Sequence, residues 1–320
     1  MRFAFTDDQR SFAEGLRELL ARECPASLVR SVWDDGSGHS PALWRRLADM
    51  GVLSVLAPEA DGGIGGSLVD AVLLFQELGR AAAPGAVLEH VAVVAPLGTA
   101  THWSSGLLDG STVGTAWLDA GPYVAHAASA DVVLTRTGWL HGFDVSPVEG
   151  IDGGRRLATI AGGDEVPHGL PAEQLDKAFD AMALASSAYL IGLSEQMIDI
   201  AAEYARQREQ FGKPIGSFQA VKHLMADALL KVEFAKAPTY RAAWSLATGH
   251  PDATRDVSIA KAFASEAAYR ASRSSMQVHG GIGYTWEADL QLWMKKAWVL
   301  MRAYGDATFH RRRVGAAVLG

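Results

Sequence analysis

The sequence predicts a mainly helical protein in which a small β unit separates two helical regions. Apolar residues recur at helical spacing over residues 1–112 and again over 173–320. Residues 113–172 instead carry short β-type runs separated by Gly, Asp and Pro. We therefore expect an N-terminal helical domain (1–112), a reduced antiparallel β domain (113–172) and a C-terminal four-helix bundle (173–320).

The N-terminal region contains three predicted helices. Thr6 and Gln9 are spaced as a capping box, and apolar residues follow at helical intervals. Further helices are predicted over 41–50 and 68–79. The glycine cluster at 62–66 does not have the spacing of a nucleotide-binding loop, so a plain loop is predicted there.

The remaining elements follow from periodicity and punctuation. The β region is predicted to hold four to six antiparallel strands. Long helices are predicted over about 175–204, 217–248, 252–278 and 286–313. Because their connections are short, neighbouring helices should run antiparallel as a four-helix bundle.

Composition excludes several classes of protein. The chain has 320 residues, 49% hydrophobic and 20% charged, which excludes a largely disordered protein. A net charge of −7 argues against a nucleic-acid partner, and a single cysteine argues against a disulfide framework or a Cys-based metal site. The most apolar stretch, 81–97, is too short and interrupted to span a membrane, and no signal peptide is visible, so a cytoplasmic location is expected.

Two stretches carry the most specific patterns. The first is Tyr204-Ala-Arg-Gln-Arg-Glu-Gln-Phe-Gly-Lys-Pro-Ile-Gly-Ser-Phe-Gln219, and the second is Gln277-Val-His-Gly-Gly-Ile-Gly-Tyr-Thr285. A guanidinium such as that of Arg208 can make charge-assisted bonds to phosphate, and a Gly-Gly turn lets backbone N–H groups approach an anion. Taken alone, the same residues also fit a solvated helix end and a helix C-cap.

These stretches closely resemble the flavin-site signatures of the acyl-CoA dehydrogenase family. Weaker matches in the same order occur at 5–10, 58–65 and 77–80, so the resemblance covers nearly the whole chain. It implies FAD as cofactor, α,β-desaturation of an acyl-CoA thioester, and an electron-transfer flavoprotein or similar acceptor. It also implies a dimer or tetramer.

The resemblance further implies which residues bind FAD. In that family the two signatures come from opposite subunits of a dimer. Arg208 would meet the FAD pyrophosphate of the neighbouring chain, with Gln210, Phe211 and Gln219 close by. The ADP portion of the partner's FAD would be received by Gln277, Gly280 and Gly281. The nearby His279 is interpreted as a packing or turn residue, and His310 with the three arginines after it as a solvated helix end.

The catalytic base is where the sequence departs from the family. Family members use a glutamate, whose pKa must be raised in a water-poor pocket, to remove the α-proton while the β-hydrogen leaves as hydride to FAD. Aligned on the motifs, the two known positions of that glutamate fall on Tyr304 and Met182, and neither is a carboxylate. Asp306 and Asp180 are two residues away and are the candidate substitutes, although Asp306 also fits a turn cap.

The β region is the second departure, because the stretches that contact the flavin ring in full-size members have no counterpart between Val113 and Pro171. Three hypotheses follow. The chain is the base-lacking subunit of a heteromeric α2β2 enzyme for bulky, steroid-like acyl-CoA thioesters, paired with a non-identical acyl-CoA dehydrogenase subunit. Alternatively, it is a self-sufficient homo-oligomeric dehydrogenase with an unorthodox base such as Asp306, or a non-redox protein that reuses the fold.

Overall fold

The N-terminal unit is helical, as predicted. A computed structural model describes residues 4–119 and 121–320. The helices of this unit are α1 (Asp7–Glu23), α2 (Ala26–Asp34), α3 (Pro41–Asp49), α4 (Leu68–Arg80), α5 (Val87–Glu89), α6 (Ala95–Leu97) and α7 (Ser104–Asp109). The predicted capping box is confirmed, because Thr6 and Gln9 each bond the other's backbone N–H through their side chains. Helix α2, the short helices α5–α7 and the π-helical turn His90–Val94 between α5 and α6 were not predicted from the sequence.

The β unit consists of two small sheets. Its strands are β1 (Gly114–Ala116), β2 (Val124–Ala125), β3 (Val132–Leu134), β4 (Gly138–His141), β5 (Asp144–Val148), β6 (Leu157–Ala161) and β7 (Asp164–Pro167). The sheet orders are β1-β3-β4-β7 and β2-β6-β5. The predicted four to six antiparallel strands are therefore corrected to seven within the described residues, of which β1 and β3 pair in parallel. The chain crosses to the other sheet through β2 before β3 begins, so it returns to β1 in the same direction.

The C-terminal bundle has five helices because the predicted fourth helix is divided. The helices are α8 (Ala172–Gln207), α9 (Gln219–Ala247), α10 (Ala253–His279), α11 (Leu290–Leu300) and α12 (Ala307–Leu319). A short hairpin of β8 (Glu209–Gln210) and β9 (Lys213–Pro214) joins α8 to α9, and a 3₁₀ turn, Gly280–Tyr284, follows α10.

A buried lysine explains the break in the fourth helix. The ammonium of Lys261 in α10 donates to the carbonyl oxygens of Leu300 (2.9 Å), Gly305 (3.2 Å) and Met301 (3.4 Å). These carbonyls at the end of α11 therefore find their donor on another helix. Tyr304 adopts a positive φ of 57°, which turns the chain before α12.

The N-terminal unit and the bundle share one hydrophobic core. They approach closely at Gly79 in α4 and Gly192 in α8. A Cβ on Gly192 would lie 1.9 Å from the carbonyl oxygen of Gln76, and one on Gly79 would lie 2.1 Å from that of Tyr189. Only glycine permits this backbone contact. Within the described ranges, none of these helices is both long and apolar enough to cross a membrane.

Candidate functional site

A cleft of about 520 Å³ opens where α8 and α10 end. It is lined by Tyr204, Arg208, Gln210, Ile215, Val278, His279, Gly280, Gly281 and Ile282. The two signature stretches therefore lie side by side in a single chain, whereas the resemblance implied that they come from opposite subunits. They meet because both helices end at the same face of the bundle and both are followed by tight turns.

Arg208 is the exposed cation of this cleft. It caps the C-terminus of α8, and its backbone N–H donates to the carbonyl oxygen of Tyr204. Arg206, two residues earlier, bonds to Glu203 on its own helix. No carboxylate of the described residues lies within 4 Å of the guanidinium of Arg208, so its donors are free for an anion.

The glycine pair forms the opposite wall. Gly280 has a φ of +62° and follows the last turn of α10. A Cβ on Gly280 or Gly281 would meet no atom of this chain within 4 Å, so the space in front of both backbones is open. An anionic group can therefore approach the backbone here without meeting a side chain.

His279 packs between these two walls. Its ring stacks on Tyr204 at 4.5 Å with an interplanar angle of 16°, and its Nδ1 lies 2.8 Å from the carbonyl oxygen of Ser275. Burial lowers the pKa of His279, so the ring is neutral at pH 7. The positive charge of the cleft is therefore that of Arg208.

Three of the expected FAD residues lie outside the cleft lining. Phe211 is at the tip of the β8–β9 hairpin, 92% exposed and with a positive φ of 54°. Gln219 is the first residue of α9 and is exposed, as is Gln277 in the last turn of α10. The structure thus brings together Arg208, Gln210, Gly280 and Gly281, whereas Phe211, Gln219 and Gln277 are exposed and do not line the cleft.

A second pocket, of about 420 Å³, lies between the β unit and the bundle. It is lined by Ala116, Leu118, Asp119, Gly121, Tyr123, Ala125, Ile151, Arg155, Leu157, Met182, Trp298, Val299, Arg302, Ala303 and Tyr304. Both positions expected for the base, Tyr304 and Met182, are on its wall. We call it the Tyr304 pocket.

Behind its wall is a buried carboxylate that the sequence analysis missed. Glu89 is fully buried and accepts hydrogen bonds from Arg155 Nη1 (2.7 Å) and from the hydroxyl of Tyr304. Arg155 Nη2 donates to the same hydroxyl at 2.8 Å. Burial opposes the charge of Glu89, but Arg155, His126 and the Tyr304 bond outweigh it and lower the pKa of Glu89 to about 2. Glu89 is therefore a poor proton acceptor.

The two substitute bases have structural partners. Asp306 is the N-cap of α12, and its side chain accepts from the backbone N–H of Phe309 at 2.8 Å. Asp180 is buried and accepts from Arg313 (2.8 Å) and Thr254 (2.6 Å). Neither of them lines the Tyr304 pocket.

Asp119 is the one acidic residue on the pocket wall among the described residues. It follows the short β1 region and precedes Gly121 at the mouth of the pocket. Partial burial raises the pKa of Asp119, with backbone hydrogen bonds and Arg155 acting in the opposite direction. Asp119 is exposed, and its position on the pocket wall is what makes it the candidate general base of this pocket.

His310 corrects the expectation of a solvated helix end. It is fully buried in the first turn of α12, with Nε2 2.9 Å from the carbonyl oxygen of Tyr304 and Nδ1 3.1 Å from Ser258 Oγ. It supports the same turn that Lys261 holds from the other side. Its sequence neighbours gave no sign of this, because the turn places His310 inward while Arg311 and Arg312 stay exposed. Arg313 is half-buried and pairs with Asp180.

Residues 4–119 and 121–320 contain no group of three or more His, Cys, Asp or Glu side chains that could hold a metal ion.

The comparisons with known proteins agree with this architecture. The model of the acyl-CoA dehydrogenase N-terminal domain matches residues 6–102, and that of the C-terminal domain matches 172–319. Acyl-CoA dehydrogenase IpdE2 of Mycobacterium tuberculosis is 34% identical over 91% of each chain.

Two solved structures share the fold. A chain of the ChsE4–ChsE5 complex from Mycobacterium tuberculosis is 25% identical with a TM-score of 0.87, covering 100% of this chain and 99% of that one. A chain of the Tcur3481–Tcur3483 steroid acyl-CoA dehydrogenase is 23% identical with a TM-score of 0.88, covering 98% of each. The chain belongs to the acyl-CoA dehydrogenase family.

Proposed function

We propose that this chain is the base-lacking subunit of a heteromeric, FAD-dependent acyl-CoA dehydrogenase. FAD would supply the oxidant for α,β-desaturation of the acyl thioester. This chain would give Arg208, Gln210, Gly280 and Gly281 to the phosphates of FAD, with Phe211, Gln219 and Gln277 around them. A non-identical acyl-CoA dehydrogenase subunit would supply the base and cover the flavin ring.

The observation that carries the proposal is the contrast between the two sites. The cleft at the end of α8 and α10 keeps an unpaired arginine and an open glycine pair. In the Tyr304 pocket, both base positions hold other residues, and Glu89 behind them is already bound by Arg155. A chain that keeps cofactor donors but has no free base at the expected positions fits a division of labour between unlike subunits.

The relatives support a bulky substrate and an unequal partner. One neighbour is a chain of a two-protein complex and another is a steroid acyl-CoA dehydrogenase made of two proteins. For this chain we propose a steroid-like acyl-CoA thioester as substrate and an α2β2 assembly. We also propose an electron-transfer flavoprotein or similar protein as electron acceptor, and a cytoplasmic location.

Co-purification tests the proposal. The chain is purified alone and together with a co-expressed full-size acyl-CoA dehydrogenase chain, and each sample is assayed for flavin absorbance and for acyl-CoA oxidation with an artificial electron acceptor. We expect flavin and turnover only in the complex. Stoichiometric flavin with turnover on the isolated chain would refute the proposal, and absence of flavin with every partner would favour a non-redox protein.

Asp119 favours a second candidate, a self-sufficient dehydrogenase with an unorthodox base. In that case Asp119→Asn should abolish turnover of the isolated chain while flavin stays bound. Asp306→Asn is the matched control, because its carboxylate caps a helix away from the pocket wall. Equal turnover of the wild type and Asp119→Asn would remove Asp119 as the base.

A further inference from the structure

The segment Asp152–Arg156, between β5 and β6, lies where the three units meet. Asp152, Gly154 and Arg155 are buried, and Gly153 and Arg156 are half-buried. Arg155, only 7% exposed, reaches Glu89 of the N-terminal unit at 2.7 Å and Tyr304 of the bundle at 2.8 Å. Tyr304 in turn donates to Glu89. One guanidinium of the β unit thus bonds to both helical units at once.

The two ends of the segment repeat this arrangement. The carboxylate of Asp152 lies 3.5 Å from the ammonium of Lys296 in α11, and both side chains are almost fully buried. At the other end, Arg156 Nη2 donates to the carbonyl oxygen of Trp33 in α2 at 2.9 Å. The segment is therefore fixed to the bundle at one end, to the N-terminal unit at the other, and to both in the middle.

The two glycines in the segment allow this close packing. A Cβ on Gly153 would lie 2.5 Å from the indole of Trp33, and one on Gly154 would lie 3.0 Å from Nζ of Lys296. In the Asp-Gly-Gly-Arg-Arg sequence, the charged side chains therefore reach the neighbouring units. The two glycines between them have no side chain, so the backbone can pack directly against Trp33 and Lys296.

We propose that the segment Asp152–Arg156 is an interdomain lock that fixes the β unit against both helical units around the Tyr304 pocket. Its buried charges balance, since Arg155 and Lys296 face Glu89 and Asp152. Removing one partner would leave an uncompensated buried charge, so the contacts open together rather than one by one. Arg155 and Tyr304 form the inner wall of the Tyr304 pocket. Because the β unit of this chain is short, the lock sets the position of that wall in place of an extended β domain.

The lock is a property of this chain alone and does not depend on flavin or on a partner. It can therefore be tested on the isolated chain, and its failure is separate from failure of the proposed function. The probe is limited proteolysis with trypsin, followed by mass spectrometry of cleavage after Arg155 and Arg156. Both bonds should be resistant in the wild type, because the lock holds the segment inside.

The test variant is Glu89→Gln combined with Tyr304→Phe, which removes the partners of Arg155 but keeps both tryptic sites. We expect cleavage after Arg155 and Arg156 to become faster by on the order of a hundredfold. Asp176→Asn is the matched control. It breaks the pair between Arg136 of the β unit and α8, which is exposed, and should leave cleavage at the lock unchanged.

Tyr304→Phe alone keeps the Glu89–Arg155 pair, so this variant should remain folded if the double variant does not. Its loss of one buried hydroxyl should accelerate cleavage by roughly tenfold. The lock would be overturned if both variants resisted trypsin as well as the wild type does. It would also be overturned if the wild type were cleaved rapidly at these two bonds.

Discussion

Asp306 shows how a carboxylate near an expected catalytic position can have a structural role. Its side chain caps α12 through the backbone N–H of Phe309. Asp306→Ala should lower the free energy of unfolding by about 1 kcal/mol. Asp306→Asn should keep most of the stabilisation from the cap, because asparagine also caps helices. Urea unfolding measures this difference. If both variants lost the activity of the co-purified complex while remaining stable, Asp306 would be the base after all.

Of the four buried histidines, the three with the most strongly lowered pKa values predict how stability depends on pH. Burial lowers the pKa of His90 and His310 to about 4 and that of His126 to about 3, from 6.5 in an unfolded chain. Between pH 6.5 and about 4 the unfolded chain therefore binds more protons than the folded one. The free energy of unfolding should fall as pH falls through this window, by up to about 1.4 kcal/mol per pH unit for each histidine.

Urea unfolding at pH 7, 5.5 and 4 checks this dependence. His310→Gln should show a shallower decline than the wild type, because one of the three groups no longer titrates. His102→Gln is the control, since His102 is exposed. An unchanged slope in His310→Gln would mean that the acid sensitivity in this window arises from other groups. Glu89 is not one of them, because its pKa is lowered from 4.5 to about 2 and its contribution is lost only below this window.

At the scale of elements, the crossing of α4 and α8 has no room for a side chain at Gly192. A Cβ on Gly192 would be 1.9 Å from the carbonyl oxygen of Gln76 and 2.7 Å from the backbone nitrogen of Arg80. Because both obstacles are backbone atoms, the helices would have to separate. Gly192→Ala should therefore reduce the free energy of unfolding by about 3 kcal/mol or more, as measured by thermal and urea unfolding.

Gly315→Ala provides the matched control. Gly315 is also inside a helix, α12, but a Cβ there would meet nothing within 4 Å. This substitution should raise stability by up to about 1 kcal/mol, because alanine favours the helix. Similar losses in both variants would show that helix propensity, not the crossing, governs these sites.

The sequence predicted the long helices well because their apolar spacing is a local property. Apolar spacing did not predict the division between α11 and α12, since apolar residues continue through Met301 and Ala303. The local signal was Gly305 followed by the N-cap Asp306. The break depends on Lys261, which is some forty positions earlier in the chain and accommodates the free carbonyls. Local patterns do not record such a distant donor.

The same reasoning applies to the candidate site. The cofactor residues could be proposed because they belong to two continuous stretches. Glu89 could not, because it lies within an apolar run, and its partners Arg155 and Tyr304 come from the two other units. Nothing near Glu89 in the sequence indicates that a buried guanidinium will compensate its charge. The fold could therefore be predicted from the sequence to a greater extent than the residues that form the wall of the Tyr304 pocket.

For the whole molecule, the decisive question is whether the α8–α10 cleft serves a cofactor held by an unlike partner. Two arginines at the end of α8 allow a matched test. Arg206 bonds to Glu203, whereas Arg208 faces the cleft. In the co-purified complex, Arg208→Gln should weaken FAD retention by about tenfold to a hundredfold, because a charge-assisted bond to phosphate is lost.

Arg206→Gln removes the same charge two residues away and should leave FAD retention unchanged. The measurement is the flavin-to-protein absorbance ratio after gel filtration over a range of FAD concentrations, with subunit stoichiometry followed in the same runs. If the complex assembles with either variant but only Arg208→Gln loses FAD, the cleft acts on the cofactor and not on assembly. Equal FAD retention by both variants would exclude Arg208 from the FAD site. The contribution of this chain to the complex would then be its contacts with the partner subunit.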